Sequence, residues 1–349
     1  MSTISEMHLP GEAAVDQVDR SQVAVVIPTC NARKHWASLS TGLSLQGLSP
    51  SQVLIVDSSS DDGTRELAVQ EGYQVFRIDR RDFNHGGTRK RALDLVPWAS
   101  IVVYLTQDAV LATPDALDLL LSAFEDRNIA AAYGRQLPRL AAGPIEAHAR
   151  LFNYPPRSEV RDYQSRNTLG IKAAFLSNSF SAYRVSHLLE VGGFPTDVII
   201  AEDSLVAGKL LMAGWKSAYV AEAQVYHSHA FTMADEFRRY FDIGVCHRRE
   251  PWLREQFGKP AGEGRRFVVS EFAYLLHRSA RLLSVALIRT VLKALGYQLG
   301  LHGARLGRQW SKRLSYHKSY WDGPARLAEN APKVGLSSEI STSRPARLG

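Results

Sequence analysis

Cysteine is nearly absent: the 349-residue chain has two, Cys30 and Cys246. They supply neither a disulfide framework nor a thiolate metal site, and they fit a reducing, cytoplasmic compartment. The first 20 residues are polar and acidic and lack the apolar core of a signal peptide. No stretch of about 20 uncharged apolar residues occurs, so a membrane-spanning helix is not expected. Negative charge is in the minority, with 35 Asp and Glu against 42 Lys and Arg, a net +7. What is present suits a globular protein: 45% hydrophobic and 22% charged residues, enough for a substantial core. The basic excess gathers past residue 236, in Arg238, Arg239, Arg248, Arg249, Arg265, Arg266, Arg278, Arg281, Arg289 and Lys293. Apolar and aromatic residues interleave with it. That pattern fits an anionic membrane surface better than nucleic acid, and no nucleic-acid partner is expected.

Short β-branched runs at 23–27, 53–56, 74–78 and 101–105 read as buried strands. Segments 33–47, 64–71, 88–95 and 114–125 read as helices, with Gly72 as a C-terminal cap and Pro114 in a first turn. The alternation predicts an α/β fold, a mostly parallel sheet with helices on both faces. Residues 138–175 read as a loop-rich polar insertion, and 233–318 as helical and basic. Residues 1–20 and 319–349 read as disordered tails.

Polar residues gather where strands end, the place where open α/β sheets bind ligands. Asp57 closes the second strand. The small residues Ser58, Ser59 and Ser60 follow, and then Asp61-Asp62-Gly63-Thr64 opens a helix. A carboxylate at Asp57 can accept the imide N–H of a pyrimidine, and small neighbours let a flat base approach the backbone. Asp61 and Asp62 can equally be helix caps. Farther on, Asp82-Phe83-Asn84-His85-Gly86-Gly87-Thr88-Arg89 lets the backbone turn closely before a helix. The N-terminus of that helix and Arg89 can face a diphosphate.

Pro28-Thr29-Cys30-Asn31 followed by the 56–64 segment resembles the nucleotide-binding half of the family-2 inverting glycosyltransferases, which have the GT-A (Rossmann-like) fold. The Phe83–Arg89 stretch is similar to the bacterial rhamnosyltransferase branch. The resemblance spans roughly residues 22–230. It implies a catalytic domain at 21–232, with a nucleotide-sugar half (21–137) and an acceptor half (138–232), and a helical extension. It implies donor contacts from Pro28, Thr29, Asn31, Asp57, Ser59, Asn84, His85, Gly86, Arg89, Gln107 and Asp108.

Thr106-Gln107-Asp108-Ala109 stands where the family has Asp-x-Asp, with one carboxylate in place of two. Hard oxygen ligands and phosphates suit Mg2+ or Mn2+ at Asp108. His227 and His229 alternate on an extended chain and so point to one side. The resemblance makes one of them a further metal ligand, and a hydrogen-bonded His pair is the alternative. Glu202-Asp203 stands where the family has its base. Asp203 would take the acceptor proton and Glu202 would steer it, although two acids can also cap a helix. Asn178, Ser179, Gly193 and Phe194 are expected at the acceptor site.

The implied reaction moves L-rhamnose from dTDP-rhamnose onto a hydroxyl of a surface-polysaccharide or lipopolysaccharide precursor, a glycan or lipid-linked glycan. A UDP-hexose donor is the alternative, and a non-enzymatic nucleotide-binding protein comes third. Residues 271–300 read as a basic amphipathic helix. It would lie on the inner face of the cytoplasmic membrane or pack within a bundle, and an oligomer is compatible with either.

Overall fold

The computed structural model describes residues 18–322. Strands β1 (Val23–Thr29), β2 (Val53–Asp57), β3 (Gln74–Arg77) and β4 (Ile101–Leu105) pair in parallel, in the order β3-β2-β1-β4. Successive side chains of a strand point to opposite faces, and here both faces are covered. Val23, Val25 and Ile27 join one core with Trp36 and Leu39 of the Arg33–Ser44 helix. Ala24 and Val26 join the other with Ala92 of the His85–Leu95 helix and Val206 of the Glu202–Met212 helix. Burial on both sides explains why these strands read as continuous apolar runs.

Beyond β4 the sheet is mixed. The remaining strands are β5 (Val110–Leu111), β6 (Ile129–Leu137), β7 (Glu159–Arg161), β8 (Phe180–Arg184) and β9 (Lys216–Tyr226). β8 lies antiparallel between β4 and β6, β9 runs parallel to β6, and β5 and β7 pair antiparallel with β9. The parallel arrangement expected from sequence thus holds in the nucleotide half. The 138–175 segment is more ordered than its polarity suggested, holding a helix at Pro144–Asn153 as well as β7.

This topology sends the C-terminal ends of β1, β2, β4 and β9 and the N-terminal end of β8 to one edge of the sheet. Thr29, Asp57, Asp108, Asn178, Asp203 and His227 come from six distant stretches of chain. All but Asp203 lie at or just beyond those strand ends.

The Met233–Arg249 and Leu283–His302 helices touch backbone to backbone. A Cβ on Gly296 would lie 2.3 Å from the Phe237 carbonyl, and one on Gly300 2.0 Å from that of Phe241. The segment Ala280–His302 contains an 18-residue window apolar enough, by length and composition only, to cross a membrane, where the sequence led to no such expectation. The Lys318–Asp322 turn buries Tyr320 and Trp321 against Phe241 and Val245. The helical region therefore runs four residues into the expected tail. Residues 18–20 of the expected N-terminal tail are also described, with Asp19 capping a short turn that starts at Arg20, and the rest of both expected tails lies outside the described residues.

Candidate active site

The turn after β2 is held by its own polar groups. Asp57, 1% exposed, accepts the Ser60 N–H at 3.0 Å and faces the Thr29 hydroxyl at 3.3 Å across the β1–β2 pair. Asn31 and Ser59 both adopt left-handed φ angles of 53°, a conformation that costs roughly 1–2 kcal/mol for a non-glycine residue. Asn31 is kept there by a reciprocal pair of bonds with Asp61 and by the Ser60 hydroxyl. Ser59 donates to the Ile78 carbonyl. Asp62 accepts from the N–H groups of Arg33 and Thr64, so it ties two helix starts together. Gln107 bonds both backbone groups of Cys30, joining the β1 and β4 loops. Pro28 lies within β1, half-buried.

The Phe83–Arg89 stretch differs from its expected form. The helix starts at His85, capped by Asn84, which accepts the Gly87 N–H at 2.7 Å. Gly86 is therefore helical, and its reason is close packing: a Cβ there would sit 1.8 Å from the Pro195 carbonyl oxygen. Arg89 does not stand free for a diphosphate. Only 4% exposed, it pairs with Glu202 at 3.1 Å and donates to the His85 carbonyl. His85 itself is half-buried, ringed by Phe83 and His317, and burial lowers its pKa.

Glu202 and Asp203 open the Glu202–Met212 helix behind Ala201, another left-handed residue with φ 66°. A helix N-terminus favours both carboxylates in their ionised form, yet their surroundings separate them. Burial opposes ionising Glu202, but Arg89, His85 and the Asn178 amide at 3.1 Å outweigh it and hold its pKa down. Burial and the adjacent Glu202 charge push Asp203 up to about 7, against the N–H groups of Ser204 and Asn178. One carboxylate is a fixed anion and the other is poised to exchange a proton near neutrality. Asn178 is the hinge between them. Its side-chain oxygen accepts from the hydroxyls of Ser181 and Tyr183, which turns its NH2 toward Glu202.

Asp108, His227 and His229 offer ligand atoms within 4.8 Å of one another. Gln136 Oε1 accepts from Arg150 at 2.6 Å, and arginine has only donors, so this atom must be the oxygen. The same atom lies 2.9 Å from His227 Nδ1, which must then carry the hydrogen. That leaves the buried His227 Nε2 as a lone pair without a hydrogen-bond partner, 3.4 Å from Asp108 Oδ1. Burial lowers the pKa of His227. Burial opposes ionising Asp108, but His227 and His229 in their protonated forms, and Arg139 in any state, hold its carboxyl well below the usual carboxylate range. Two facing lone pairs repel unless a cation lies between them, and the Gln136 bond is the outer support that metal-binding imidazoles use. The donor set therefore fits a divalent cation.

Asp108, Gln136, Asn178, Glu202, Asp203, His227 and His229 line one cavity of about 860 Å3, together with Ser179, Arg150, Arg239 and residues of the helical extension, whereas Thr29, Asn31, Asp57, Ser59 and Gln107 are not among its walls. Gly193 and Phe194 are not among its walls. Phe194 is buried edge-on against Tyr104 and Tyr183, and Gly193 packs at φ 70° near Lys90. Their neighbours are Lys90 and the aromatic core rather than the cavity. Sequence reasoning passed over Gln136, Arg139 and Arg150. They lie on β6 and in the segment taken for loop, with no motif around them.

Residues 101–301 match the family profile described as Glycosyl transferase family group 2. The chain is 44% identical over 302 residues to the O-antigen chain rhamnosyltransferase RfbN of Salmonella typhimurium, covering 86% of this chain and 96% of that one. It is 29% identical over 238 residues to the N-acetylglucosaminyl-diphospho-decaprenol L-rhamnosyltransferase of Mycobacterium tuberculosis, covering 59% and 76%. Among solved structures it is similar to the mannosyltransferase PcManGT of Pyrobaculum calidifontis, in complex with GDP-Man and Mn2+. The TM-score there is 0.51 at 20% identity, over 86% of this chain and 85% of that one. The profile takes in more than half of the chain and a named relative aligns over most of it, so this glycosyltransferase belongs to glycosyl transferase family group 2.

Proposed function

We propose that the enzyme transfers L-rhamnose from dTDP-rhamnose, with inversion, to a hydroxyl of a lipid-linked polysaccharide or lipopolysaccharide precursor. The observation that carries the mechanism is the Asp203 carboxyl, pushed up to about 7, on the wall of the cavity that also holds Asp108, His227 and His229. The donor sugar is inferred from the two rhamnosyltransferase relatives and from the resemblance of the Phe83–Arg89 stretch to the rhamnosyltransferase branch.

In this reading the nucleobase lies over the Thr29 and Asp57 strand ends, with the loop at Asn31 and Ser59 beside the ribose. The acceptor O–H bond breaks toward Asp203 as its oxygen bonds to C1. The bond from C1 to the diphosphate oxygen breaks, and the nucleoside diphosphate leaves from the opposite face. A divalent cation at Asp108, His227 and His229, Mg2+ or Mn2+, would offset charge on that leaving group.

The test is a panel of dTDP-rhamnose, UDP-glucose, UDP-galactose and GDP-mannose, read by donor hydrolysis and thermal shift with Mg2+. A selective response to dTDP-rhamnose is expected. Selectivity for a UDP-hexose moves the enzyme to the alternative donor, and indifference to all four overturns the reading. For the metal, Gln136→Leu removes the outer support of His227 and is expected to weaken Mn2+ binding by about 10–100-fold. Titration calorimetry or the Mn2+ resonance signal reads this without turnover. Unchanged affinity in both Gln136→Leu and Asp108→Asn removes the metal from this site.

The enzyme is further proposed to sit on the cytoplasmic face of the membrane. Leu287, Ile288, Val291, Leu295 and Leu299 are 43–53% exposed along the Leu283–His302 helix. Arg278 and Arg281 before it and Arg305 after it are exposed. An apolar stripe bracketed by arginines suits an anionic bilayer, with the stems of the arginines able to lie along the lipid. Vesicles containing phosphatidylglycerol should bind the full chain in a salt-sensitive way. Val291→Asp with Leu295→Asp should weaken that binding by about tenfold or more. Equal binding of the double variant excludes this face.

A further inference from the structure

Helices of the extension wall part of the same cavity. Glu271 of the Ala261–Arg278 helix lines it and is 1% exposed, and neither of its carboxylate oxygens has a hydrogen-bond partner. The cations nearby are already engaged. Glu236 holds Arg289 at 3.1 Å and Lys293 at 3.4 Å. The Lys293 ammonium also lies over the rings of Tyr240 and Phe267, 5.9 and 5.1 Å from their centres. Leaving a buried polar group unsatisfied costs about 1–3 kcal/mol, so the position is expensive unless something in the cavity completes it.

The chemistry narrows what that is. Among the described residues Glu271 belongs to no cluster able to hold a metal ion. A phosphate would meet the carboxylate with like charge. A hydrocarbon chain has no donor to offer. A neutral polyol has hydroxyl donors for both carboxylate oxygens, and its ring can lie against the Phe267 and Tyr240 walls.

We propose that this end of the cavity, built by the helical extension, is a subsite for a neutral sugar of the acceptor, with Glu271 accepting hydrogen bonds from its hydroxyls. The proposal rests on the reading that the cavity receives a glycan acceptor, and it is independent of which sugar is transferred. The extension then selects the acceptor while the sheet edge binds the donor. The transferred sugar and the recognised one are read by different parts of the chain.

The test uses the full chain and a panel of octyl glycosides of glucose, galactose, mannose and N-acetylglucosamine. Binding is followed by saturation-transfer NMR, with dTDP binding measured on the same samples. At least one glycoside should bind the native chain. Its affinity should fall about tenfold or more in Glu271→Gln and Glu271→Ala, the loss expected for hydrogen bonds to a charged acceptor. dTDP affinity and melting temperature should hold in Glu271→Gln. If no glycoside binds, or if the variants bind as well as the native chain, the subsite is wrong and Glu271 is a packing residue. Loss of dTDP binding in the native chain instead defeats the donor reading, so the two failures are distinguishable.

Discussion

Asp203→Asn is expected to lower transfer about a hundred- to ten-thousand-fold, the range set by losing a general base, while nucleotide affinity stays unchanged. Asparagine keeps the shape, and its single amide oxygen can still accept from one of the Ser204 and Asn178 N–H groups, which bond separate oxygens of Asp203, but it cannot take a proton. The native enzyme should gain activity as pH rises through about 7, where burial and the Glu202 charge place the Asp203 pKa. The sign for stability is opposite. An unfolded aspartate titrates near 3.9, so between about 4 and about 7 the folded protein holds a proton that the unfolded chain has released. Stability therefore falls with rising pH across that window, and deprotonated Asp203 is a burden above it. Asp203→Asn should melt at a higher temperature than the native protein at pH 8 and close to it at pH 4. Full activity in the variant would move the base elsewhere. Lost activity with a flat pH–stability difference would mean that Asp203 is not the group titrating near 7.

The parallel half of the fold was legible because its strands are buried on both faces and so are apolar throughout, as in the 101–105 run. The mixed half was less so. β6 is rich in alanine and carries Gly134, whose Cβ would meet the Ala223 carbonyl at 2.4 Å and the Phe180 ring at 2.5 Å. Close strand packing demands small residues there, and small residues carry little strand signal. At the site, single residues at strand ends could be placed, because their position follows from the strand itself. What sequence could not reach was pairing between distant segments. Gln136 supports His227 across 91 positions, and Asn178 spans Glu202 and Asp203 from 24 and 25 positions away. A glycine pair read as a close turn before a helix proved half an approach to the Pro195 backbone, since both uses select for a missing side chain.

Arg89 shows what such pairing decides. In the sequence an arginine at the start of a helix invites a diphosphate. In the fold it is the partner of a buried glutamate. Arg89→Met is accordingly expected to destabilise the protein by about 3–5 kcal/mol, the cost of stranding one member of a buried ion pair. Arg89 and Glu202 are 4% and 5% exposed, so solvent screening takes little from that figure. Adding Glu202→Gln should restore much of the loss, because the stranded charge is gone and the Asn178 side chain still has a carbonyl oxygen to bond. The pair also sets the base. The Glu202 charge raises the Asp203 pKa, so Glu202→Gln alone should move the rise in activity to lower pH. Chemical denaturation of the two single variants and the double variant closes the cycle. If Arg89 instead holds the donor diphosphate, Arg89→Met will melt like the native protein and raise the donor KM, and the second substitution will rescue nothing. An ion pair that keeps Glu202 charged beside a protonatable Asp203 predicts the reverse on each count.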